Sequence, residues 1–120
     1  MQYSIAADEE FLRVTVAGRE ADEPPSDVCR VILMESARLQ RPRILIELDQ
    51  KAPLSPVSQQ QLISRLPELG LTAAHRIALV HRTPEMQAAN QYINTVAKNR
   101  ALNVRNFPDT ESAKRWLRAA

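Results

Sequence analysis

The segment that most constrains the fold is RILIELD, residues Arg43–Asp49. Its apolar run is short and rich in Ile and Leu, and prolines bracket it on both sides, a pattern typical of a strand buried on both faces. Residues 76–81, RIALVH, repeat this pattern. Because strands buried on both faces occur mainly in parallel sheets, we expect these two strands to be adjacent, parallel and internal.

The other strands are predicted by weaker patterns. Residues 3–6 and 11–17 are β-rich and are separated by a polar connection of hairpin length. Residues 102–107 alternate apolar with polar side chains, which is typical of a strand near a sheet edge. The sequence therefore predicts a mixed, mostly parallel sheet of about five strands that begins with a hairpin.

Four helices are predicted between and after these strands. A Ser or Thr followed by Pro is a strong helix start, because the hydroxyl caps the helix and the missing N–H of proline costs nothing there. We expect Pro67 to disturb or end the second helix and Trp116 to be largely buried under the last one. The predicted helices cover residues 27–40, 56–66 and 84–100 and a final segment capped by Asp109. The expected α/β order is β-β-α-β-α-β-α-β-α in one domain spanning residues 1–120.

Composition mainly excludes classes of function. The 120 residues are 44% apolar and 25% charged, as expected for a single soluble domain. We predict no membrane span, because no window approaches the about 18 consecutive apolar residues that one needs. The absence of an export signal and the single cysteine predict a cytoplasmic location. The formal charge of +2 is too small to indicate nucleic-acid binding, and we predict no nucleic-acid partner.

Three stretches give the chain a resemblance to a known family. Residues 45–49, LIELD, followed by a loop and a helix start, look like the strand end of STAS domains. Residues 77–87, IALVHRTPEMQ, and 103–109, NVRNFPD, resemble the divergent SpoIIAA-like (STAS/Sec14-like) branch of that superfamily. The resemblance covers nearly the whole chain. It implies a SpoIIAA-like fold and a regulatory, protein-binding role without enzyme activity.

One functional motif of the family is missing from this chain. The family has Asp-Ser-Ser-Gly at the start of the second helix, where this sequence has Ser55-Pro56-Val57-Ser58. The serine that is phosphorylated in the family falls on Val57 in an ungapped comparison. We therefore expect partner binding without the family's phosphoserine switch.

No motif for catalysis or cofactor binding is recognisable. The chain has two glycines, which excludes a dinucleotide-binding turn and a phosphate-binding P-loop. His75 and His81 lack the partners and the spacing of a zinc site. A Ser-His-Asp set without a nucleophile elbow can be assembled on paper from Ser55, His81 and Asp109. We predict no cofactor, no metal site and no catalytic residue, with an unrecognised enzyme as an alternative.

The remaining candidate is a surface at the carboxyl edge of the predicted sheet. If the strands follow one another in simple order, no crevice opens at that edge. The resemblance implies a partner surface at the same edge, because the wider family meets its partners there. The predicted partner or ligand surface lies in residues 51–58, 81–83 and 107–109, with candidate contacts Ser55, Ser58, His81, Arg82, Thr83, Phe107 and Asp109. Two alternatives stay open: a carrier for a small apolar ligand, by analogy with Sec14 relatives, and a homodimer through Val31 and Met34.

Overall fold

The computed structural model describes residues 2–17, 25–49 and 55–119, with residues 25–27 described as backbone alone. Within these ranges the strands are β1 (Gln2–Ala7), β2 (Leu12–Ala17), β3 (Arg43–Asp49), β4 (Arg76–His81) and β5 (Val104–Phe107). The helices are α1 (Pro25–Leu39), α2 (Pro56–Leu69), α3 (Pro84–Ala89), α4 (Tyr92–Asn99) and α5 (Thr110–Arg118). Of the helices in the described ranges, none has the length and apolarity that crossing a membrane requires.

The five strands form one sheet whose spatial order is the order along the chain, β1-β2-β3-β4-β5. β1 pairs antiparallel with β2, and each later pair is parallel. In the central pair Ile44 lies opposite Ile77, and Leu45 lies opposite Ala78. The prediction of two adjacent, parallel inner strands is confirmed, as is the mixed sheet that begins with a hairpin.

Helices cover the two faces of the sheet unequally. Alternate strand residues point to opposite faces, so Ile44 and Ile46 of β3 face one layer while Leu45 faces the other. The larger core lies with α1, α2 and α4 and includes Val28, Ile32, Ile63, Leu66, Ile93 and Val96. On the opposite face α5 packs against β3, β4 and β5 through Ala113 and Leu117. At the β1–β2 end of that second face, Arg13 and Thr15 remain exposed.

The prediction of one continuous third helix is wrong. Instead of one helix over residues 84–100, the structure has α3 and α4, separated at Asn90. Asn90 is 1% exposed, and its main-chain carbonyl oxygen accepts a hydrogen bond of 2.7 Å from the Asn106 side chain. Asn106 belongs to β5, so this hydrogen bond ties the end of α3 to the sheet.

Two predictions near the helix ends also need correction. α2 continues past Pro67 to Leu69 and ends at Gly70, whose φ of 117° is readily adopted only by glycine. Pro67 is exposed and close to the end of α2, where the loss of one main-chain N–H is tolerated. Trp116 is half-buried rather than largely buried, with its ring packed against Phe107 at a centroid distance of 5.4 Å.

Candidate functional site

The carboxyl ends of the four parallel strands lie at one edge of the sheet. β3 ends there at Asp49, β4 at His81 and β5 at Phe107, and α2, α3 and α5 begin shortly after them. Because the strand order is sequential, the connections do not diverge, and the described residues form no switch-point crevice at this edge. The edge is therefore a surface lined by helix N-termini, and residues 51–54 of the predicted surface lie outside the described residues.

Three of the predicted contact residues act as helix caps. Each is extended in its backbone and accepts a hydrogen bond from a main-chain N–H in the first turn, which satisfies a donor that the helix cannot pair internally. The acceptors are Ser55 Oγ from Ser58 at 3.1 Å, Thr83 Oγ1 from Met86 at 3.2 Å and Asp109 Oδ1 from Ser112 at 2.7 Å. The hydrogen bond from the Ser112 N–H is the main cause that lowers the pKa of Asp109.

Two exposed side chains give this edge its character. Val57, in the first turn of α2, is 63% exposed, whereas the buried residues of the same helix are Gln59, Ile63 and Leu66. Arg82 donates from Nη1 to Asp49 Oδ2 at 3.0 Å, and the two side chains are 74% and 53% exposed. Such a pair is well solvated and adds little stability, so the Arg82 guanidinium stays accessible to a ligand or partner.

Beneath this edge lies a group of buried amide and imidazole side chains, which we call the polar cluster: His81, Asn90 and Asn106. His81 Nε2 lies 3.3 Å from Asn106 Oδ1, and Asn106 Nδ2 donates to the carbonyl oxygen of Asn90 at 2.7 Å. The main-chain N–H of Asn106 donates to Asn94 Oδ1, also at 2.7 Å. The polar cluster therefore connects β4 and β5 to the junction between α3 and α4.

The hydrogen bonds of Asn106 determine the tautomer of His81. Because Nδ2 of Asn106 donates to a carbonyl, its Oδ1 is the atom that faces the imidazole, and Nε2 of His81 must carry the proton. Nδ1 is then an acceptor, and no hydrogen-bond partner for it exists among the described residues. Desolvation lowers the pKa of His81, while the hydrogen bond with Asn106 opposes this shift, so the imidazole is neutral at physiological pH.

The structure separates the predicted site residues into two environments. Ser55, Arg82, Thr83 and Asp109 are exposed and Ser58 is half-buried. His81 and Phe107 are buried, at 4% and 8% exposure. The set Ser55, His81 and Asp109 is not connected as a triad, because each side chain is engaged with a different partner.

Val57 lies within the predicted surface range 51–58 but is not among the candidate contacts, and sequence reasoning missed the polar cluster as a unit. A signal for the cluster existed in β5, where Val104 and Asn106 share one face and break the apolar pattern. Across the described ranges, no three His, Cys, Asp or Glu side chains are grouped as a metal site would require.

Comparison with family models and with curated proteins finds no match for this chain. The class of the protein is therefore defined by its fold alone, an α/β domain with a five-stranded mixed sheet in sequential order.

Proposed function

We propose that this chain is a non-enzymatic, cytoplasmic domain of the STAS (SpoIIAA-like) type that binds a protein partner through the carboxyl edge of its sheet. The element order supports the STAS type, because a hairpin followed by successive αβ units is the order expected of that fold. The sequential strand arrangement supports binding over catalysis, since a shallow surface suits a protein partner better than a small substrate.

The observation that carries the proposal is the exposure of Val57. An isolated exposed valine is common, but this one lies in the first turn of a helix at the edge where the parallel strands end. The exposed Arg82 lies at the same edge, and arginine is enriched in protein interfaces. A partner that covers this edge would bury the valine and use the guanidinium for hydrogen bonds.

The polar side chains at this edge have structural partners, which further supports binding over chemistry. Three of them, Ser55, Thr83 and Asp109, cap helices. His81 is hydrogen-bonded to the side-chain amide of Asn106, which does not ionise and so cannot act as an acid or a base. The interior next to α3 contains the polar cluster rather than a dry apolar lining, so no observation favours the small apolar ligand.

The proposal is tested by the variant Val57→Glu. A carboxylate in the first turn of a helix interacts favourably with the helix dipole, so we expect the folded domain to keep its thermal midpoint. A buried, unpaired charge in the interface should weaken the complex by about tenfold or more, which corresponds to about 1.4 kcal/mol.

The matched control is Met34→Glu, which places the same charge on a 64% exposed apolar residue of α1. The partner is first isolated from host lysate on immobilised wild-type protein, and its affinity for the purified variants is then measured by calorimetry. Binding that Val57→Glu leaves intact, or that Met34→Glu weakens equally, would show that the carboxyl edge is not the binding surface. Failure to isolate any partner on the wild-type protein would also count against the proposal.

A further inference from the structure

The outer edge of β1 is an open hydrogen-bonding template in the described part of the chain. β1 pairs with β2 over its whole length, and β2 is the one neighbour that the sheet gives it. Its six residues, QYSIAA, contain no charge, no proline and no glycine. Proteins normally protect a free edge with charged side chains, a proline or a bulge, and β1 carries none of these devices.

The hairpin geometry shows which backbone groups point to this free edge. The N–H of Asp8 donates to the carbonyl oxygen of Phe11 at 3.0 Å, so this opposed pair is hydrogen-bonded. Bonded and non-bonded pairs alternate along an antiparallel ladder. The main-chain groups of Gln2, Ser4 and Ala6 therefore face β2, while those of Tyr3, Ile5 and Ala7 face outward.

β1 also gains little from the core of its own domain. Five of its six side chains are exposed and Ile5 is half-buried. Tyr3 is 47% exposed and shares with Ile5 the sheet face on which α1 packs. A strand that is exposed on both faces and along one edge would be stabilised by pairing with a further strand.

We propose that a second copy of this chain occupies the free edge, with the two β1 strands paired antiparallel about a two-fold axis. Opposed residues must lie on the same face of the joined sheet, so their numbers have equal parity. With Ser4 opposite Ser4 of the second copy, Tyr3 lies opposite Ile5, and symmetry repeats that pair. An aromatic side chain opposite a β-branched one is a favourable cross-strand pair, and two serines can hydrogen-bond.

The self-complementary order of β1 selects a second copy over an unrelated strand. About the axis at Ser4 the two large apolar residues, Tyr3 and Ile5, lie opposite each other, and the lack of charge means that the two copies do not repel each other across the edge. The outward N–H and C=O groups of Tyr3 and Ile5 find their partners in the same residues of the other copy. The interface uses none of the residues named for the carboxyl edge and does not depend on the function proposed for it.

The first measurement is the mass of the full chain by sedimentation across a dilution series. We expect a dimer that dissociates on dilution, and a monomer in Tyr3→Lys, because a charge on the edge opposes strand pairing. The control is Tyr92→Lys, which alters a 41% exposed tyrosine of α4 and should remain dimeric. Circular dichroism establishes that both variants fold. A monomeric wild-type chain would overturn the proposal, as would a dimer that persists in Tyr3→Lys.

A cross-linking experiment tests the register in a Cys29→Ala background. Opposed residues of a non-hydrogen-bonded pair have Cα atoms about 4.5 Å apart, within the range of a disulfide. The two Ser4 residues form such a pair, because their main-chain groups face β2. Ser4→Cys should therefore form a disulfide-linked dimer under mild oxidation. Gln2→Cys, which would lie opposite Ala6, should not. Equal cross-linking of both variants, or a dimer that Met34→Lys dissociates while Ser4→Cys fails to cross-link, would place the contact elsewhere and contradict the proposal.

Discussion

His81 Nε2 and Asn106 Oδ1 lie 3.3 Å apart across β4 and β5, in an interior where the two residues are 4% and 5% exposed. Asn106 also donates to the carbonyl oxygen of Asn90, at the junction of α3 and α4. When one partner of a buried hydrogen bond is removed, the other is left unsatisfied and cut off from water. The stability of such a cluster is therefore sensitive to substitution and to pH.

We expect the free energy of unfolding to fall as the pH decreases below about 7. Burial holds the pKa of His81 below its ordinary value of 6.5. The unfolded chain then binds more protons between the two pKa values, so stability rises with pH there. The loss begins as the pH falls through 6.5 and is complete below the folded-state pKa. Urea titrations at several pH values measure it.

The control for this pH dependence is the second histidine. Desolvation also lowers the pKa of His75, which is less buried than His81. His81→Gln should flatten the dependence more than His75→Gln does. A full slope in His81→Gln would show that His81 does not titrate with unfolding.

Asn106→Leu should destabilise the fold by about 2 to 4 kcal/mol, because it removes the hydrogen bond of the buried His81 Nε2 and one of the hydrogen bonds that the Asn90 carbonyl oxygen accepts. The matched control is Asn103→Leu at an exposed position whose side chain makes a 3.3 Å bond to the Ala73 carbonyl. Urea midpoints compare the two. Equal effects would mean that the polar cluster contributes no more than a surface bond.

Trp116→Ala should destabilise by about 2 to 3 kcal/mol, below the about 3 to 5 kcal/mol of a fully buried tryptophan. The half-buried ring packs against Phe107, and the Arg76 guanidinium lies 5.7 Å from its centroid. Trp116→Phe keeps an aromatic ring and should recover more than half of the loss in the urea midpoint. A midpoint that Trp116→Ala does not change would mean that the Trp116 ring does not help to hold α5 on the sheet.

Ala101→Gly should stabilise the fold by about 1 kcal/mol, because Ala101 has a φ of 57°, which costs an L-residue energy and glycine nothing. The residue follows α4, where the N–H of Leu102 donates to the carbonyl oxygen of Ala97 at 2.9 Å. Ala74→Gly, at a described position without positive φ, should not stabilise. Thermal midpoints of the two variants decide the matter, and a lower midpoint in Ala101→Gly would contradict the prediction.

We expect Ser55 and Ser58 to carry no phosphate that changes with growth state. Ser55 Oγ accepts the Ser58 N–H, and the Ser55 hydroxyl donates to Ser58 Oγ at 3.0 Å, so a kinase would have to open the start of α2. Intact-mass and peptide analysis of protein from growing and starved host cells measures the modification. Phosphate that rises or falls between these samples would restore a phosphoserine switch of the family type.

The strands could be predicted from the sequence because their patterns are local. The runs in β3 and β4 are apolar enough to require burial on both faces, and strands that follow one another in the chain are usually neighbours in the sheet. The helix starts at Ser55 and Thr83 could also be predicted, because capping involves residues close together in the chain.

The break at Asn90 and the polar cluster could not be predicted in this way. The apolar spacing of residues 84–100 fits one continuous helix, and the break involves Asn106, a residue of another element. The exposure of Val57 and the partial burial of Trp116 depend on how far the neighbouring elements extend over them. These features are set by tertiary contacts, which periodicity does not report.

The sequential strand order has a consequence for how the sheet is made. Each strand pairs with strands adjacent to it in the chain, so no later segment has to insert between two that are already joined. Such short-range pairing lowers the contact order and favours fast folding. Since synthesis proceeds from the N-terminus, each αβ unit can be added to the growing edge as it leaves the ribosome, and the edge formed last is that of β5.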